Sequence, residues 1–288
     1  MSRALAVVLL LASPALPAGY VEEIETWRQK RAERLKADGG WLTVEGLFWL
    51  KQGDSAFGSD KANAIVLPFS APERAGTIAF SKGVTTFRLE PGVAGTMGGK
   101  PVTEGILRPD SEDVLILGSV TIQAIERAGE HAIRMKDMQS ARRRDFKGLR
   151  WYPVKEAFRV DARFVPYTPA RTLDIPNVTG QVNKMPSPGY VEFSLGGETL
   201  RLDPVLEEPE ATEFFFIFRD ETAPRETYGA GRFLYSALPK DGRVVLDFNK
   251  AYSPPCAFTP YATCPLPPKQ NRLKVRIEAG EQDPKVLH

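Results

Sequence analysis

After residue 55 the chain is written almost entirely in short apolar segments, broken by Gly, Pro, Asp and Asn at intervals of roughly ten residues. GTIAFS, VTTFRLE, DVLILG, SVTIQAIER, YVEFSLGG, EFFFIFRD, GRFLYSAL and RVVLDF are examples. Most alternate apolar and polar residues, the period of a strand with one buried face. No long helical pattern returns between them, so a βαβ sheet is excluded and antiparallel sandwiches or barrels are left. Gly and Pro, 24 each, supply the turns this rhythm needs while staying below the share typical of disorder. With 288 residues the chain has room for one large β domain or two smaller ones.

The exception to the strand rhythm comes early. In YVEEIETWRQKRAERLKA, Tyr20, Ile24, Trp27 and Leu35 recur at helical spacing among charges, and Asp38-Gly39-Gly40 ends the run. The aromatic segment WLTVEGLFWLKQG then packs this helix on the body of the protein. Ahead of it, MSRALAVVLLLASPALPAGY has the order of a secretory signal: a positive Arg3, an apolar run and small residues for cleavage. The run is too short to span a bilayer. The expectation is an exported protein, periplasmic or extracellular, without a transmembrane segment after cleavage. It is organised as a signal peptide (1–18), a helix with an aromatic segment (19–54), a β-sandwich (55–127) and a second β domain (128–288). The predicted fold class is mainly β, an N-terminal helix followed by an antiparallel β-sandwich and then a second antiparallel β-sandwich or barrel.

Many chemistries lack their residues. The two histidines, His131 and His288, lie far apart in sequence. No nucleophile elbow, H-E-x-x-H or Cys/His cluster is present, so no metal and no cofactor are expected. GTMGGKP (95–101) is not a P-loop and YGAGRF (228–233) is not a dinucleotide fingerprint. A net charge of +2 gives no reason to expect nucleic acid. The basic run ARRRDFKGLRWYP (141–153) reads as a strand whose arginines pair with carboxylates or with an anionic ligand. Cys256 and Cys264 are the only cysteines. In an oxidising compartment they are expected to form a disulfide that staples the proline-rich loop between them; their spacing suits neither a C-x-x-C redox motif nor a zinc site.

The most informative region runs from FFFIF to the cysteines. GRFLYSAL and RVVLDF are expected to form a hairpin closed at Pro239-Lys240-Asp241-Gly242. Strand alternation then sets Arg232, Asp247 and Asn249 on one face, with Arg232 and Asp247 close enough to pair. Asp220, Tyr228 and Tyr252 flank it. Charges on an apolar face must be paired to be buried, so the cluster is either a buried ion-pair network or a ligand site. The leading functional expectation is a pocket for a small polar or anionic molecule, lined by Asp220, Tyr228, Arg232, Asp247, Asn249 and Tyr252. An alternative is a carboxylate-dependent hydrolase or lyase, acting on a glycan, with Asp247 and Asp220 as acid and base. A third is a scaffold that binds an envelope protein.

Two resemblances add to this reading. FGSDKANAIVLPF, with the glycine-rich turns and the DVLILG hairpin that follow, is similar in layout to the forkhead-associated β-sandwich. That family reads phosphothreonine with an Arg where this chain has Ser59, and the later Ser-x-x-His is missing. The resemblance therefore implies the fold but not phosphopeptide binding. GGWLTVEGLFWLKQGDSAFGSD, RRRDFKGLRWYP, TYGAGRFLY, DFNKAYSPPCAFTPYATCPLPPKQNRL and IEAGE together resemble the family catalogued as domain of unknown function 1684, from about residue 20 to 281. Ser253 departs from the Asn usual there. The resemblance implies a shared fold and hairpin-loop and transfers no activity.

Export of this kind predicts a mature chain that lacks residues 1–18. Intact mass of the protein from its native host checks it; a chain that begins at Met1 or Ser2 would remove the basis for export.

Overall fold

The computed structural model describes residues 19–284. The expected signal segment, 1–18, and His288 lie outside the described residues. The chain opens with the helix Tyr20–Lys36, whose buried residues are Tyr20, Ile24, Arg28, Arg31 and Leu35. Spacings of three and four place all five on one face. Trp27 is only half-buried. Two arginines thus stand in the stripe that the sequence assigns to apolar residues alone. Each is satisfied by a distant carbonyl: Arg28 donates to Tyr152 O at 2.9 Å and Arg31 to Ser253 O at 2.8 Å. Among the described residues, no helix is long and apolar enough to cross a membrane.

The first β unit has two layers. A six-stranded sheet runs in the order Val44–Trp49, Glu130–Asp137, Val120–Arg127, Val114–Leu117, Gly95–Met97, Lys100–Val102. A five-stranded sheet runs Ile65–Val66, Gly53–Gly58, Gly76–Ser81, Val84–Leu89, Glu104–Ile106. One apolar cluster joins them, with Phe57, Ile78 and Phe87 from the smaller sheet against Leu115, Ile122 and Ile133 from the larger. This is the sandwich expected from the sequence. Its sheet reaches past both expected limits, 55 and 127, because Val44–Trp49 and Val120–Arg127 each pair with Glu130–Asp137. One short pair, Phe57↔Ile65 and Gly58↔Val66, is parallel. Ser59, which stands where forkhead-associated domains carry a phosphate-reading Arg, donates its hydroxyl to Ala71 O at 2.8 Å.

The second β unit pairs a four-stranded sheet, ordered Glu198–Leu202, Val182–Leu195, Arg159–Pro176, Arg243–Asp247, with a two-stranded one, Glu213–Phe218 and Arg232–Ala237. FFFIF is buried on both faces. Phe214, Phe216 and Phe218 join Phe193, Leu246 and Phe248 in one cluster, while Phe215 and Ile217 enter another with Phe233 and Cys264. That explains a continuous apolar run where half-buried strands alternate. Among the described residues no closed barrel forms, so the second unit is layered.

Two local expectations are corrected. GRFLYSAL and RVVLDF do not pair as a hairpin, since each finds a different partner. Arg232–Ala237 takes Glu213–Phe218 along its whole length, and Arg243–Asp247 takes Arg159–Arg163. The chain crosses between layers at 238–242, where Lys240↔Arg243 is an isolated bridge. The basic run opens with a short helix, Ala141–Arg144, and continues as irregular chain to 153, not as a strand. Its arginines do pair with carboxylates: Arg142 with Glu45, Arg143 with Asp38 and Arg144 with Asp145.

The proline-rich loop links the parts. Ala257 and Phe258 pack on Leu35 and Leu42, Thr259 donates to Val44 O at 3.0 Å, and Val178 N–H donates to Cys264 O at 3.0 Å. Both cysteines are free, so the expected disulfide is not formed in the structure.

Phe216 is fully buried while Leu238 is 41% exposed at the crossover. Phe216→Ala is expected to cost about 3–5 kcal/mol, and Leu238→Ala to stay within about 0.5 kcal/mol of the parent. Denaturant unfolding of the two variants measures both.

Candidate functional site

The six residues expected to share a pocket divide into three groups. The first is Arg232 with Asp220. Gly231 precedes Arg232 at φ +111, where a Cβ would stand 2.5 Å from Phe218 O and 2.7 Å from Pro267. Only glycine lets the chain enter the strand so close to its neighbour. The Phe218↔Arg232 pairing then puts Asp220 just beyond the strand end. Arg232 donates to Asp220 Oδ1 at 3.0 Å and to Ile277 O at 3.0 Å, and also bonds Ala279 O. Asp220 further accepts from Thr222 Oγ1 and from Ile277 N–H at 2.8 Å. Both side chains are 1% exposed. This is a closed interior network, and neither residue reaches an opening.

The second group is Asp247 with Asn249, and its partner comes from the N-terminal helix. Tyr20 donates its hydroxyl to Asp247 Oδ1 at 2.9 Å, Asn249 N–H donates to the same oxygen at 3.1 Å, and Asn249 Nδ2 donates to Tyr20 Oη at 3.0 Å. The expected Arg232–Asp247 pair is therefore absent. The two side chains belong to different sheets, and each is satisfied elsewhere. Burial, followed by the Asp247 carboxylate, raises the Tyr20 pKa, so its hydroxyl stays a donor.

Tyr252 and Tyr228 complete the set at separate places. Tyr252 lines a cleft of about 600 Å³ between the helix and the second β unit, together with Asp247, Trp27, Tyr235, Arg34 and Arg159. Tyr228 donates to Cys256 O at 3.0 Å and borders a second opening of about 380 Å³. Of the six expected residues, only Asp247 and Tyr252 face the larger cleft. Asp220 does not, so the structure brings no Asp247–Asp220 acid and base pair to one opening.

The cleft has an aromatic wall and a charged rim. The Tyr235 and Tyr252 rings lie 6.4 Å apart and nearly parallel, at 12°, and Trp27 stands 6.2 Å from Tyr252. Arg31 sits 4.5 Å over the Tyr252 ring and is held by Ser253 O and by Glu281 at 3.3 Å. Burial pushes the Tyr252 hydroxyl up to about 12 and raises Tyr235 as well, so both are neutral at physiological pH. On the rim Lys250 pairs with Glu23 at 2.6 Å and holds that carboxyl below its ordinary range. Arg34 and Arg159 are exposed. Among the described residues neither is in an ion pair, although Arg159 lies 5.6 Å over the Tyr20 ring. Among the described residues no cluster of three or more His, Cys, Asp and Glu side chains is placed to hold a metal ion.

Trp27, Tyr235, Arg34 and Arg159 escaped the sequence reading. Trp27 belongs to the recognised helical stripe, and only the fold shows that it is half-exposed. The two arginines are single charges in charged segments, with nothing local to mark them.

The model of a family described as protein of unknown function (DUF1684) matches residues 144–282. That part of the chain belongs to this family. The chain is also similar to the solution structure of an uncharacterised protein of Haloarcula marismortui, with 30% identity over 49% of this chain and 78% of that one, at a TM-score of 0.42. Forkhead-associated domains are similar over shorter stretches. One, the second such domain of a Mycobacterium tuberculosis ABC transporter, gives 24% identity over 30% of this chain and 77% of that one, TM-score 0.24. Another, solved with the intracellular domain of a second protein, gives 19% over 31% and 97%, TM-score 0.23. No curated protein matches. The DUF1684 segment supplies Asp220, Arg232, Asp247 and Tyr252, while Tyr20, Trp27 and Arg34 lie before it.

Removing one member of a buried pair leaves an uncompensated charge. Asp220→Ala is expected to cost about 3–5 kcal/mol, and adding Arg232→Met to recover much of that loss. Asp247→Asn keeps an acceptor for Tyr20 and is expected to cost about 1 kcal/mol. Unfolding free energies of these three variants check the order.

Proposed function

We propose that the protein binds a small anionic molecule in the cleft between its N-terminal helix and the strands Arg232–Ala237 and Arg243–Asp247, after export from the cytoplasm. The observation that carries this reading is the pair of guanidinium groups, Arg34 and Arg159, that border an aromatic-walled cleft and form no ion pair among the described residues, although Glu23, Glu213 and Asp247 line the same cleft. Guanidinium is weakly hydrated and forks toward carboxylate, phosphate or sulfate oxygens, so an unpaired pair at one opening favours an anion. Lys250 is engaged by Glu23 and Arg31 by Glu281, which leaves Arg34 and Arg159 as the cations of this lining without an ion pair. Trp27, Tyr235 and Tyr252 offer flat apolar surface for the rest of the molecule, and the neutral tyrosine hydroxyls offer hydrogen bonds. The order of charged, apolar and small residues at the N-terminus supports export.

A thermal-shift and calorimetric screen with phosphate, sulfate and small mono- and dicarboxylates tests the reading, alongside native mass spectrometry of the protein from its host. Binding is expected to weaken by about tenfold or more in Arg34→Ala and in Arg159→Ala, in line with loss of a charged hydrogen bond, with little change in melting temperature. Equal binding by the parent and both variants would reject this cleft as the site.

A further inference from the structure

Away from the anion cleft, the second opening exposes a different chemistry. Its wall includes Cys256, Tyr228, Thr259 and Pro260, and Cys256 is half-buried there, whereas Cys264 behind it is 5% exposed. The two cysteines meet without being bonded. Cys256 N–H donates to Cys264 Sγ at 3.1 Å.

The backbone around both is pinned from outside the loop. Tyr228 holds Cys256 O, and Val178 N–H holds Cys264 O. Pro254 and Pro255 precede the first cysteine, and Pro265 follows the second. The chain contains no other thiol. Any disulfide formed within the molecule must therefore join these two.

We propose that Cys256 and Cys264 are a thiol–disulfide exchange site for a small disulfide, with Cys256 as the attacking thiol and Cys264 as the resolving one. The Cys256 thiolate attacks one sulfur of the incoming disulfide, forming a mixed disulfide and expelling one thiolate. The Cys264 thiol then loses its proton and attacks the Cys256 sulfur, closing Cys256–Cys264 and expelling the second thiolate. Two electrons pass from the protein to the incoming disulfide, and two protons end on the released thiols.

The asymmetry of the pair fits these roles. The neighbouring Cys264 holds the Cys256 thiol below its ordinary pKa, which raises its thiolate fraction where the opening gives access. Burial pushes Cys264 up, so it stays protonated until a sulfur beside it becomes a target.

The test treats the reduced full chain with an aromatic disulfide whose leaving thiol is coloured. The parent is expected to release two leaving groups per chain, retain no probe and lose the mass of two hydrogens. Cys264→Ser should stop at a stable mixed disulfide on Cys256. Cys256→Ser should leave Cys264 at least about tenfold slower than Cys256, a difference that vanishes in denaturant, as expected when access and thiolate fraction set the rate. Peptide mapping of the parent after brief alkylation gives the same ranking if either variant fails to fold.

Three outcomes would overturn the proposal. One is a mixed disulfide that persists in the parent without closing. Another is equal reactivity of the two thiols in the folded chain. The third is a Cys256–Cys264 bond that excess dithiol fails to reduce until the protein unfolds, which would make the pair a fixed staple.

Discussion

The side chain on which most of the second β unit depends is Arg232. A guanidinium at 1% exposure costs several kcal/mol in lost hydration unless its donors are matched. Here Asp220 supplies the counter-charge, and Ile277 O and Ala279 O supply further acceptors. The two carbonyls belong to a segment without regular secondary structure, so the arginine replaces the ladder that a strand would have provided. Gly280 follows at φ +79, where a side chain would collide with Ala251 O and Phe248 O. Its own carbonyl accepts from Tyr152 N–H at 3.0 Å.

From there the placement passes outward. Glu281 N–H donates to Ala251 O at 2.8 Å, and its fully buried carboxylate accepts from Arg31 on the N-terminal helix. Burial raises the Glu281 pKa, opposed by Arg31, so the carboxylate relies on that arginine for its charge. The helix is thus seated by hydrogen bonds from Arg28 and Arg31 as much as by Ile24 and Leu35. Apolar contact tolerates sliding, whereas hydrogen bonds to fixed carbonyls set both position and rotation. The cleft wall formed by Trp27 against Tyr252 inherits that definition.

Sequence patterning revealed the helix, the strand rhythm and the fact that Arg232 must be paired. It did not reveal the partner. Alternation states which side of its own strand a residue occupies, and Arg232 and Asp247 do alternate as expected. Which strand lies across from each is decided by packing over the whole unit, and the two strands went to different sheets. Asp220 was visible as a flanking residue, but the Phe218↔Arg232 register that brings it close is a long-range fact. Nothing local marks Arg28 and Arg31 as buried, because the carbonyls that accept from them, on Tyr152 and Ser253, are more than a hundred residues away in the chain. The cysteines pair in the sequence because they are the only two, closely spaced, in a chain expected to be exported, whereas their unequal exposure is a product of the fold.

The helix that closes the cleft lies outside the stretch matched by the family model, and this bears on how such a chain can diverge. Tyr20 and Asp247 share a proton-mediated contact, and Arg31 and Glu281 share a charge, across more than two hundred residues. A change at one end strands a polar group at the other, so each pair is bound to a common history. A lineage that lost the helix would expose Asp247, Tyr252 and Glu281 to water at once. It would have to rebuild the missing wall, or give up an enclosed cleft for an open trough.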